Sequence, residues 1–123
     1  MIKKNKTTAR DFETFQEYCE ACIEILGLKS WEFLYRHISM EEDDCLCIMQ
    51  VEPRLATIIL SKNISRESSE EYLKKLAIHE IIHTLLGSFT SSAHDRYITK
   101  EMLEEKEHEI VQILTNVFYN RVL

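Results

Sequence analysis

The sequence predicts an α+β domain in which helices cover one face of a small three-stranded antiparallel sheet. An amphipathic stripe comes first, three short β-type runs follow, and two further helical segments complete the order. The chain has 123 residues, 45% of them hydrophobic and 29% charged, the make-up of one ordinary folded domain over residues 1–123. Only two Gly and one Pro interrupt it, which favours long helices and short connections over a many-turned sandwich.

The first helix is expected from about Thr8 to Leu26. Phe12, Phe15, Cys19, Cys22, Ile23 and Leu26 recur at helical spacing, and Gly27 stands where a helix ends. Trp31 to His37 is rich in aromatics and alternates, so it reads as a strand. The acidic stretch Glu41 to Asp44 reads as a solvated hairpin tip. Cys45 to Val51 and Leu55 to Ser61 are apolar β-type runs flanking Glu52, Pro53 and Arg54, a hairpin signal. The first of these runs is apolar on both faces, which places it mid-sheet, and the run 56–60 is placed at an edge.

Ser68 and Glu71 have the spacing of a capping box, opening a helix that should run to Leu86 with Gly87 past its end. Ser88 to Tyr97 reads as a polar loop. The last helix is expected from about Thr99 to Asn120, with apolar residues at 103, 110, 111, 114, 117 and 118.

Fifteen Lys and Arg against 21 Asp and Glu leave a formal charge of −6, which excludes a nucleic-acid partner held through its backbone. The basic cluster at Lys3, Lys4, Lys6 and Arg10 is not followed by an apolar core, so it reads as a solvated arm rather than a signal peptide. No stretch approaches membrane-spanning length, and no membrane partner is expected. A cytoplasmic setting, where thiols stay reduced, is the expectation. Cys19 and Cys22 fall on the apolar helix stripe, and Cys45 and Cys47 share one strand face with Met49 and Val51. All four therefore read as core thiols rather than as a CxxC and CxC metal site.

The chemistry is concentrated in residues 76–86. This helical stretch is apolar on nearly every side, so it must be buried, yet it carries His79, Glu80, His83 and Thr84. Burying two imidazoles and a carboxylate is costly unless something satisfies them. His79 and His83 are one helical turn apart and project from the same face, where both rings can reach one ion. Glu80 is offset by roughly 100° and can contact a water on that ion without binding the ion itself. The pattern HExxH arises by chance in roughly one chain of this length in a few hundred at average residue frequencies, and an apolar helical setting narrows it further.

A catalytic zinc takes three protein ligands and keeps one position open. The candidates downstream are His94 in the loop and Glu101, Glu104, Glu105, Glu107 and His108 on the last helix. On a helical wheel Glu105 falls with Glu109, Gln112 and Asn116 on a polar face. Glu104 shares a side with Val111 and Phe118, and Glu107 sits between Leu103, Val111 and Leu114. Glu104 and His108 are a turn apart, so His108 can hydrogen-bond near the metal.

HExxH on a buried helix, followed by a Glu on the next helix with a polar residue four positions later, resembles the gluzincin branch of the zincin metallopeptidases. Over residues 31–120 the compact layout is also similar to minimal peptidases encoded by bacteriophages and mobile elements and to the ImmA/IrrE type, which cleaves repressors. The extended metzincin histidine is missing, with Phe89 in its place, and the longer signature of larger gluzincins is absent. The resemblance implies a zincin-like fold and one Zn2+ held by His79, His83 and Glu104, with Glu107 or His94 as alternative third ligands. A ligand at His94 would be similar to SprT-like proteins. It further implies a peptide or protein substrate, with Glu80 as the general base that takes a proton from water and passes it to the leaving amine. His108 and Tyr97 are then candidates to support the metal site or the developing oxyanion. The run 56–60, as an edge strand, would pair with an extended substrate. The alternative is a catalytically inactive zincin-fold module that binds metal and serves in regulation or interaction.

Overall fold

The computed structural model describes residues 5–50, 52–93 and 99–121. Its elements, in chain order, are β1 (Asn5–Lys6), α1 (Ala9–Leu26), β2 (Glu32–Ile38), β3 (Cys45–Gln50), β4 (Leu55–Ser61), β5 (Asn63–Ile64), α2 (Glu70–Ala93), α3 (Lys100–Phe118) and a closing 3-10 turn, Tyr119–Arg121. The fold is mixed α+β, with three helices and two small sheets among the described residues. No helix there is long and apolar enough to cross a membrane.

The start of α1 follows from a reciprocal cap. The Thr8 hydroxyl accepts from the Asp11 amide at 3.1 Å, and the Asp11 carboxylate accepts from the Thr8 amide at 2.8 Å. Gly27 ends the helix at φ 69°, the left-handed conformation that costs a side chain about 1–2 kcal/mol. Phe15, Cys19 and Cys22 are buried, as the stripe predicts.

The sheet departs from expectation in its pairing. Its order is β2-β4-β3, with β3 antiparallel to β4 across the 52–54 turn and β2 parallel to β4. The sheet is therefore mixed rather than antiparallel, and β2 and β3 form no hairpin. The central strand is β4, the run expected at an edge, while β3, expected mid-sheet, lies at an edge. Burial explains the exchange: Ala56, Ile58 and Leu60 face the helices fully covered and Ile59 is buried on the other side, whereas Ile48 of β3 is exposed. Hydrophobicity on both faces does not tell which strand will be flanked twice.

The rows facing the helices are Phe33, Ala56 and Met49, then Tyr35, Ile58 and Cys47, then His37, Leu60 and Cys45. Against them pack Phe15, Cys19 and Cys22 of α1, Leu73, Ala77, Ile78, Ile81 and Ile82 of α2, and Val111 of α3. All four cysteines are free thiols in or beside this core.

Four further differences concern turns and element ends. The basic arm is anchored from residue 5: Asn5 and Lys6 pair with Ile64 and Asn63, and the Thr7 amide donates to the Lys62 carbonyl. The acidic turn is likewise tied down, because the Asp44 carboxylate accepts from the amide and hydroxyl of Ser65 and from the Tyr72 hydroxyl. The cap of α2 is Ser69, whose hydroxyl accepts from the Tyr72 amide at 3.1 Å, rather than Ser68. Gly87 does not end that helix, which continues to Ala93.

Candidate metal centre

β3 runs alongside α2 in matched register. The Cys45 thiol meets Glu80, the Cys47 thiol meets the Thr84 hydroxyl, and the Met49 sulfur lies 2.5 Å from where a Cβ on Gly87 would be. Two strand residues advance about 6.7 Å and three or four helical residues about 4.5–6 Å, so the two elements stay roughly in step. The glycine is thus a packing position for Met49 within a helix.

This alignment turns His79 and His83 away from the sheet and toward α3. Their Nε2 atoms stand 3.2 Å apart. His108 of α3 completes the group, with ring centroids 5.3 Å from His79 and 5.7 Å from His83. One nitrogen from each of the three rings falls within 4.8 Å of the others, a candidate metal-binding triad. Imidazole nitrogens about 2.0–2.1 Å from a tetrahedral ion are separated by about 3.3 Å, so the spacing of His79 and His83 fits such an ion. The Nδ1 atom of His83 lies 3.5 Å from Glu107 Oε1, which favours the tautomer with its proton on Nδ1 and Nε2 free to bind.

Burial holds the His79 imidazole down to about 4, with His83 and His108 acting in the same direction. The His83 imidazole is lowered by burial and held back by Glu107. Both rings therefore favour the neutral form that ligates metal. Glu80, only 6% exposed, sits on the same turn of α2 and lines the same cleft. Burial pushes its carboxyl up to about 7, against the lowering effect of the hydrogen bond from Cys45. The cleft, of about 880 Å³, is bounded by the acidic turn and the start of β3 on one side and by His108, Gln112 and Asn116 of α3 on the other.

The predicted site residues divide accordingly. His79, Glu80 and His83 line one cleft, with the two imidazoles adjacent. Glu104 does not join them: it is exposed, with its carboxylate 3.9 Å from Lys100 one turn away. His108, expected to assist, stands instead in the triad that could hold a metal, and Glu107, an alternative ligand, lies against His83 Nδ1. His94 and Tyr97 lie outside the described residues. The signal for His108 was present in the periodicity, since it shares a helical side with the buried Val111 and Thr115. Glu104 shares that side too, one turn earlier, and only the placement of α3 against α2 separates the two.

The chain was compared with protein families, curated proteins and solved structures. None of them matches it. The chemistry of the site therefore rests on its own residues. Among the described residues, the candidate metal-binding cluster contains three imidazoles and no cysteine.

Proposed function

We propose that this chain is a small zinc-dependent metallopeptidase of the zincin type, with His79, His83 and His108 as the metal ligands. The observation that carries the reading is the convergence of three imidazole nitrogens beside a buried carboxylate in one cleft. A set of three imidazoles with an open fourth position suits zinc used as a catalyst. It replaces the glutamate ligand of the gluzincin pattern with a third histidine.

A zinc ion held there supplies a water that deprotonates near neutrality and a Lewis acid for a carbonyl oxygen. The chain's own residues do the remainder. Glu80 accepts the proton of the attacking water and returns it to the leaving amine. Glu107 holds the His83 ring by its Nδ1 side. Among the described residues β3 is an edge strand, and it begins beside the cleft, so an extended peptide can pair with it through backbone groups alone. That role moves to β3 because β4 is already paired on both sides.

The test is zinc content and hydrolysis of a mixture of internally quenched peptides by wild type and Glu80→Gln. One equivalent of zinc in both proteins, with cleavage only by wild type, supports the peptidase. Zinc in both and cleavage by neither supports a metal-binding regulatory module instead. Absence of zinc from the wild type overturns the metal site.

A further inference from the structure

The Cys45 thiol is the one hydrogen-bond donor to the Glu80 carboxylate among the described residues, reaching Oε2 at 3.0 Å. Its other acceptor, the Leu76 carbonyl, is 3.8 Å away, so the single thiol proton belongs on the carboxylate. Cys45 is fixed at the start of β3. The Ser61 amide donates to the carbonyl of Asp44 at 2.8 Å, while the Asp44 carboxylate binds Ser65 and Tyr72. The thiol is thus held by the strand while Glu80 rides on the helix. Both residues line the cleft, and with Oε2 engaged, Oε1 is the oxygen left for a molecule there.

We propose that Cys45 is a positioning residue for the Glu80 carboxylate, holding one oxygen so that the other meets the attacking water. This rests on the peptidase reading above. A carboxylate without the contact can rotate about its last torsion, whereas a fixed donor selects one orientation before substrate arrives. Burial and the neighbouring Glu80 charge keep the thiol well above its ordinary range, so it stays a donor. Cys47 supplies an internal control. It occupies the next step of the same strand-to-helix ladder but meets Thr84 rather than Glu80.

The experiment combines infrared spectra of the S–H stretching region with kinetics of the zinc-loaded protein on internally quenched peptides. A thiol band displaced to low frequency should be present in wild type, absent in Cys45→Ala and moved toward the free-thiol position in Glu80→Gln. In Cys45→Ala the loss of one charge-assisted hydrogen bond should lower kcat about tenfold with KM and zinc stoichiometry unchanged. Cys45→Ser keeps a donor and should restore most of kcat, and Cys47→Ala should match wild type. Wild-type kcat in Cys45→Ala, an equal loss in Cys47→Ala, or a band indifferent to Glu80→Gln overturns the proposal. Failure of the peptidase reading looks different: Glu80→Gln then cleaves as wild type does, or wild type cleaves nothing. Either result removes the positioning role while the band still reports the bond.

Discussion

The Nε2 atoms of His79 and His83 lie 3.2 Å apart on one face of α2, with the His108 ring of α3 closing over them. This makes ligand identity separable by substitution. His83→Ala and His108→Ala should each lose bound zinc, whereas Glu104→Ala should keep one equivalent, because Glu104 points to Lys100. Zinc added to 100 times its dissociation constant should stabilise the wild type by about 2.7 kcal/mol, read as a rise in Tm that His108→Ala does not show. Zinc retained by His108→Ala would reject the triad.

Removing the buried carboxylate tests chemistry apart from binding. Glu80→Gln preserves the shape of the side chain and leaves all three imidazoles in place. Peptide cleavage should fall by about 10²–10⁴, the usual contribution of a general base, with zinc content unchanged.

The two glycines should respond differently. Gly27 adopts φ 69° with open space around its Cα, so Gly27→Ala suffers only the backbone cost of about 1–2 kcal/mol. Gly87 is helical, and alanine there gains up to about 1 kcal/mol of helix propensity while displacing the flexible end of Met49. Urea denaturation should show a clear loss for Gly27→Ala and a small net change for Gly87→Ala.

His37 gives the pH dependence a local origin. The Thr7 hydroxyl donates to the Ser61 carbonyl at 2.7 Å, so toward His37 Nε2, also at 2.7 Å, it can only accept. Burial, with Lys62 adding to it and Asp11 opposing it, lowers the imidazole below 6.5. The unfolded chain then binds the proton more readily than the folded one. The His37 contribution should be complete above pH 6.5 and decline as pH falls through the folded value. His37→Gln keeps a donor without a titrating ring, and its Tm should fall less steeply with acidification than that of the wild type.

How much was legible in the sequence depended on the range of the interaction. Periodicity located all three helices and the three strands of the main sheet, since apolar spacing and local turn chemistry act within a few residues. The pairing was not legible. Whether β2 lies beside β3 or beyond β4 depends on which faces the helices cover, and both arrangements suit the same alternation. Gly87 misled for a similar reason: glycine after an apolar run marks a helix end, unless another side chain needs its space, and here Met49 does.

The site divides along the same line. By itself the sequence determined that His79 and His83 share a helical face, with Glu80 about 100° around from His79, because four residues make about one turn. It also determined that this helix is buried, because its flanks are apolar on every side. Only the tertiary structure decided the third member. Glu104 and His108 share one side of α3 and differ by a single turn, about 6 Å along the axis. The packing of α3 on α2 brings the later turn to the imidazoles and leaves the earlier one in solvent beside Lys100.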